Sequence, residues 1–408
     1  MKQNIIVSLV SDQTIPNVQF IKELSGLPDS GYLFMTTKGM ESKGVRRWIT
    51  DTCKIESAEI ILVNEFSFDD IMSKLRGFNF GEYKNIHVNL TGGTKIMTLA
   101  AFEFFKQIEA GIFYVTGKEK EYLKLYPGNE VAQNQMTAKI SVPEYLSSYG
   151  FSVKKTERCP YEYAQLKDFF GHYCKIKVED YKDDFRFLYS KRKRKISEKD
   201  FFNVEKLISA LAFKSVKPGC LNTDETTFLT GDWFEEYVGA SIKQELSLGD
   251  DELLIGGIIS KDVQPYVRNI HAELLGNLTN LVIEKSDNEI DVMFIYNNQF
   301  YVIECKTSII DIRQITDSAG KPKEKEINIL GETLYKADSL KSKFGLFAKT
   351  SILTLTDFQS YIKDSDQVVM HNKTKHMEVL IGRANHSNIK LVDKSMLEKS
   401  SSIFNCIK

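Results

Sequence analysis

The stretch NEIDVMFIYNNQFYVIECKTS, residues 288–308, sets two apolar runs on either side of Asn297 and Asn298. Asparagine tolerates the positive φ angles of a two-residue hairpin turn, so the stretch reads as a β-hairpin with these two residues as its whole loop. Tyr296 then pairs with Gln299, and counting outward along the antiparallel ladder sets Asp291 directly opposite Glu304. Directly opposed residues share a face, with Cβ atoms about 5 Å apart. Period-two alternation puts Lys306 on that face too, and Cys305 on the other. Two facing carboxylates repel unless a cation lies between them, so the cluster calls for a divalent metal. Hard oxygen donors favour Mg²⁺ or Mn²⁺ over zinc. The bland alternative, an amphipathic hairpin with surface charges, would be destabilised by Asp facing Glu.

Outward from the hairpin, a helix written GDWFEEYVGASIKQEL comes first, then strand-like runs, a second helix near 328–342 that stops before Gly345, and the strand-like LFAKTSILTL. This order predicts an α/β domain over 226–408. From the N-terminus to about residue 127 the short apolar runs IIVSLV (5–10), YLFMTT (32–37), EIILVN (59–64), IHVNLT (86–91) and IFYVTG (112–117) alternate with helical stretches. Such runs suit parallel strands buried on both faces, and predict a doubly wound, Rossmann-like domain over 1–150. From residue 128 to about 225 the alternation is lost and the chain is rich in Lys, Tyr, Phe and Asp, which predicts a mainly helical connector over 151–225. In its middle runs Lys191, Arg192, Lys193, Arg194, Lys195, readable as a nucleic-acid contact or as a solvated loop.

The chain's 408 residues are enough for two or three cored domains. With 54 basic and 55 acidic residues its formal charge is −1, so any nucleic-acid binding must rest on a local patch. The six cysteines (53, 159, 174, 220, 305 and 406) form no Cys-x-x-Cys pair, which argues against a zinc site or a disulfide scaffold and fits a reducing, cytoplasmic setting. The N-terminal apolar run is too short for a signal-peptide core or a membrane span.

A second constellation is NLTGGTK, residues 89–95, between a predicted strand and the helix IMTLAAFEFFKQIEA. Glycines at such a turn let backbone N–H groups approach an anion, and the helix N-terminus adds partial positive charge. Thr91, Gly92, Gly93, Thr94 and Lys95 are therefore candidate ligand contacts. The loops after the first two strands, Ser11-Asp12-Gln13-Thr14 and Thr36-Thr37-Lys38, lie at the same carboxyl edge and would line the same crevice. Neither the Walker A spacing nor Gly-x-Gly-x-x-Gly is present.

With twelve residues between Asp291 and Glu304-Cys305-Lys306, and Gly231-x-x-Phe234-Glu235 upstream, residues 228–355 resemble the core of the PD-(D/E)XK nucleases. The resemblance implies a restriction-endonuclease-like domain in which Asp291, Glu304 and Glu235 serve the metal, with Glu236 as Glu235's competitor. Lys306 would orient the attacking water or stabilise charge on phosphorus, and Lys336 and Tyr335 would contact phosphate or water. The Ser11-Asp12 loop, the Thr-Gly-Gly-Thr-Lys turn and the appended nuclease together resemble the CRISPR-associated Rossmann-fold (CARF) effectors of type III systems. That likeness implies a prokaryotic homodimer that binds cyclic oligoadenylate, cyclic tetra-adenylate by preference, through Ser11, Asp12, Gln13, Thr14, Thr37 and the 91–95 turn. It would then cleave single-stranded DNA, RNA or both, with Mn²⁺ or Mg²⁺. A non-catalytic, nucleic-acid-binding sensor is the alternative, though it has no reason to keep Asp291, Glu304 and Lys306 on one face. A HEPN-type ribonuclease needs a longer Arg-to-His spacing than Arg268-x-x-His271 or Arg383-x-x-His386 offers.

Overall fold

The computed structural model describes the chain except residue 1 and residues 118–119, 129–131, 156–160, 262–287, 317–321 and 364–366. Cys159 and the Arg268/His271 pair lie outside the described residues. The predicted parallel strands form as β1 (Lys2–Leu9), β2 (Ser30–Thr36), β3 (Glu59–Leu62), β4 (Tyr83–Asn89) and β5 (Gly111–Val115). Two further strands, β6 (Glu121–Tyr126) and β7 (Ala132–Gln135), extend the sheet in antiparallel fashion. Its order is β3-β2-β1-β4-β5-β6-β7, so the chain reverses direction of growth between β1 and β4. A crevice opens at such a switch point, outside the carboxyl ends of the two strands. The loops that follow β1 and β4 carry all the candidate ligand residues except Thr37, which follows β2.

The second sheet runs β15-β14-β11-β10-β9-β8, from β8 (Phe151–Lys155), β9 (Leu253–Lys261), β10 (Asn288–Tyr296), β11 (Gln299–Lys306), β14 (Lys349–Thr354) and β15 (Ile389–Val392). The strands β12 (Ile310–Thr316) and β13 (Pro322–Asn328) pair as a separate hairpin. Asn297 and Asn298 have φ of 53° and 59°, and Tyr296 pairs with Gln299 through to Val292 with Ile303. This is the register read from the sequence, and it carries Asp291 across from Glu304.

The stretch 151–225 is more than a connector. It opens with β8, which pairs with β9 as the outer strand of the second sheet. Its helices Tyr163–Lys175, Lys182–Ser190 and Glu205–Ala210 then pack Leu166, Phe169, Tyr173, Leu188 and Leu207 into one core with Trp233, Phe234, Val292, Ile303 and Cys305. They cover the face of the second sheet to which Cys305 points. Charged residues between these apolar positions hid the helical stripe from a compositional reading. The opposite face shares its core with the first domain. Phe20, Phe34 and Val115 pack in one cluster with Tyr145, Phe300, Val302 and Phe344.

Candidate active site

Asp291 and Glu304 are 7% and 1% exposed, although both are carboxylates. Burial of that kind requires hydrogen bonds and counter-charge. Asp291 Oδ2 accepts the Cys305 backbone N–H at 2.7 Å and lies 3.4 Å from Lys306 Nζ. Lys306 Nζ is 3.5 Å from Glu304 Oε2 and also donates to the Cys305 carbonyl at 3.2 Å. A second lysine arrives from the helix Leu330–Lys341, where Lys336 Nζ donates to Glu304 Oε1 and Oε2 at 3.0 and 3.2 Å and to the Glu289 carbonyl at 3.1 Å. The hairpin and one helix thus bring together Asp291, Glu304, Lys306 and Lys336.

The electrostatics follow from this packing. Burial, with the neighbouring Asp291 charge adding to it, raises the Glu304 pKa, and the two lysines offset part of the rise. Burial opposes the charge on Lys306, but Asp291 and Glu304 outweigh it and hold the ammonium above its usual range. Lys306 is therefore a permanent cation here. Cys305 lies on the other face, and burial together with the Asp291 and Glu235 charges keeps its thiol protonated. That makes it a packing residue and no nucleophile.

Glu235 sits on the helix Trp233–Leu246, and its charge acts on both Lys306 and Cys305. Its neighbour Glu236 is buried. Among the described residues no group of three His, Cys, Asp or Glu side chains is placed to hold a metal ion. The helix packs Trp233, Phe234 and Val238 with Ile303 and Cys305, whereas Asp291 and Glu304 project from the opposite face. Tyr335, next to Lys336 on the same helix, is 81% exposed.

At the carboxyl edge of the first sheet the candidate ligand residues divide into exposed and structural ones. Thr94 and Lys95 are exposed; the Thr94 hydroxyl accepts the Met97 N–H as N-cap and donates to the Glu65 carbonyl at 3.0 Å. Gly92 must be glycine, because a Cβ there would lie 1.9 Å from the Leu9 carbonyl oxygen, and Gly93 has φ of +79°. The Thr91 hydroxyl donates to Asn89 at 2.7 Å and accepts the Val115 N–H at 2.7 Å, holding the turn to the sheet. Ser11 is half-buried, and the exposed Asp12 pairs with Lys43 at 2.9 Å. Thr37 is buried as an N-cap, accepting the Met40 N–H. Thr14, also expected at the crevice, is fully buried, and its hydroxyl donates to Ser148 at 3.1 Å. Gln13 Oε1 accepts the Leu346 N–H of the second domain at 3.0 Å.

A family model described as the Card1 CARF domain matches residues 5–145, and one described as the Card1-like endonuclease domain matches residues 222–400. Among solved structures, Can2 from Sulfobacillus thermosulfidooxidans, in complex with cyclic tetra-adenylate, is similar with a TM-score of 0.66 at 20% identity, over 100% of each chain. The protein VC1899 from Vibrio cholerae is similar with a TM-score of 0.67 at 18% identity, over 97% of this chain and 95% of that one. At such identities the two structures speak for the fold alone. No curated protein sequence matches. No helix among the described residues is long and apolar enough to cross a membrane. Sensor-type sheet, buried carboxylate hairpin and the two family matches agree, and the chain belongs to the CARF nucleases, with a Card1 CARF domain followed by a Card1-like endonuclease domain.

Proposed function

We propose that the protein is an endonuclease of type III CRISPR defence, switched on by a cyclic oligoadenylate and dependent on Mn²⁺ or Mg²⁺. The observation that carries the reading is the buried Asp291–Glu304 pair on an endonuclease-type hairpin, with Lys306 and Lys336 against it. The donor set fits a hard divalent ion, since it offers two desolvated carboxylates, one with a raised pKa that added positive charge would relieve. Asp291 and Glu304 would hold the ion, which when bound polarises a phosphate and makes water a better nucleophile.

The chain's own groups have complementary tasks. Lys306, a fixed cation, neutralises charge that grows on the phosphate oxygens during attack. The Cys305 N–H orients Asp291, and Lys336 orients Glu304. Glu235 adds negative charge behind Lys306 and acts as a positioning residue. In the CARF domain, Thr94, Lys95, Gly93 and Ser11 at the switch-point crevice offer donors and positive charge to phosphates of the activator. Can2 was solved with cyclic tetra-adenylate, which makes that ring the first activator to test. A ring with two-fold symmetry suits a two-fold homodimer whose protomers present the same residues.

The test uses the full chain with labelled single-stranded DNA, duplex DNA and RNA, with and without each cyclic oligoadenylate, in Mn²⁺, Mg²⁺ or EDTA. Cleavage should need both a cyclic oligoadenylate and a divalent ion, and Glu304→Ala should abolish it. Cleavage that survives Glu304→Ala, or that ignores every cyclic nucleotide, overturns the corresponding half of the reading.

A further inference from the structure

The basic run 191–195 is held at both ends, and its first half is tied to the endonuclease hairpin and to the helix Trp233–Leu246. Just before it, the Tyr189 hydroxyl meets the Thr307 hydroxyl at 2.9 Å, and Thr307 directly follows Lys306. Within it, Arg192 Nη2 lies 3.4 Å from Asp232 Oδ1, at the start of the helix that carries Glu235. The Thr226 hydroxyl donates to the Arg194 carbonyl at 2.8 Å, and Ile196 is buried and bridged to Leu221. A solvated loop has no need of such anchors. The remaining cations, Lys193, Arg194 and Lys195, are exposed, and none has an acidic partner among the described residues. In a chain of net charge −1, three cations with no acidic partner among the described residues, held on a fixed turn beside the end of the strand that carries Glu304 and Lys306, form a local anion track.

Resting on the nuclease reading above, we infer that Lys193, Arg194 and Lys195 form a ridge that binds the phosphodiester backbone of the substrate strand and leads it into the Asp291–Glu304 site. The ridge makes no base contact and reads no sequence; its contribution is electrostatic and register-setting. Arg192 pairs with Asp232 at 3.4 Å and Lys191 lies over the Phe187 ring at 5.3 Å, so neither is counted in the ridge.

The experiment compares the parent protein with the triple variant Lys193→Ala, Arg194→Ala, Lys195→Ala. A charge-matched control replaces the exposed Arg76, Lys84 and Lys106 of the CARF domain by alanine. Binding of fluorescent single-stranded DNA, single-stranded RNA and duplex DNA is measured in EDTA across a salt series, so that it is independent of cleavage. Each phosphate contact to a single strand contributes about 0.7 to the slope of log K against log salt, so the triple variant should lose about 2 from it. Affinity should fall about tenfold or more at physiological salt, and KM should rise with kcat retained. The control should keep the parent's slope. An unchanged slope in the ridge variant, or an equal loss in the control, overturns the inference. A parent that binds with the predicted slope yet cleaves nothing overturns the nuclease reading and leaves the ridge standing. Circular dichroism and melting temperature, expected to match the parent because all three side chains are exposed, guard against misfolding. Comparing the three nucleic acids identifies which strand the ridge accepts.

Discussion

Glu304 faces Asp291 from a position only 1% exposed, and burial raises its pKa despite two lysines within hydrogen-bonding range. A folded-state pKa above the unfolded value means that the folded protein binds this proton more tightly. The stability it contributes is present in acid and is lost as the pH rises through the folded pKa. Glu304→Gln mimics the protonated form. In metal-free buffer its melting temperature should therefore gain on the parent's as the pH is raised from about 4 toward neutrality. A gap that stays constant over that range would show the lysines compensating the charge in full. Added Mn²⁺ should raise the melting temperature of the parent and not of the variant. These residues were legible in the sequence because period two and a two-residue loop leave one register. Thr14 was not: it reads as a polar loop residue, yet it stands one residue before the helix Ile15–Glu23 and turns inward to Ser148, far along the chain. Only tertiary packing supplies that partner.

Among the elements, the β10–β11 hairpin does two jobs at its two ends. The carboxylates lie toward the open end, while the turn residue Asn298 donates to the Ala138 carbonyl at 2.9 Å and accepts the Ile140 N–H at 3.3 Å. Asn298 thus fixes the hairpin's backbone through a φ of 59° and ties its tip to the segment leaving the CARF sheet. Two substitutions separate these roles. Asn298→Gly retains the positive φ and loses only the side-chain bridge, and should cost about 1 kcal/mol. Asn298→Val forces a β-branched residue into the left-handed region as well and should cost roughly 1–3 kcal/mol more. Chemical denaturation gives both values, and equal costs would show that the turn geometry is unimportant. The five parallel strands were legible as apolar runs for the same reason the hairpin was: each is a local pattern. The strands β6 and β8 were not, because EYLKLY and FSVKK are half-buried or edge strands with little apolar periodicity. The helices over 163–210 bury an apolar stripe against a sheet whose strands come later in the chain, so their role appears only once that sheet is formed.

Across the whole molecule, the CARF and endonuclease domains are joined by packing rather than by a tether. Tyr145 stacks on Phe300 at 4.5 Å between ring centroids, and its hydroxyl donates to the Phe344 carbonyl at 2.8 Å. The Phe347 ring occupies the space beside Gly117, where a Cβ would come within 2.3 Å of it. One direct link between the two domains runs through Gln13, which sits in the crevice loop after β1 and accepts the Leu346 N–H. Leu346 belongs to the loop between the helix that carries Lys336 and the strand β14, which pairs with β11 through Glu304 and Lys306. A ligand that repositions residues 11–13 would bias this loop, and with it the Lys336–Glu304 contact. Such coupling requires the ligand to distinguish two arrangements of the loop, not merely to bind. Gln13→Ala removes the link and leaves Ser11, Gly93, Thr94 and Lys95 in place. Its affinity for the activator should stay within about threefold of the parent's, while the fold-activation of cleavage by saturating activator should drop by about tenfold, the equivalent of about 1.4 kcal/mol of coupling. Calorimetry and a cleavage assay on the same preparation separate the two quantities. If affinity and activation fall together, Gln13 is a ligand contact after all; if neither changes, the signal travels through the shared core instead.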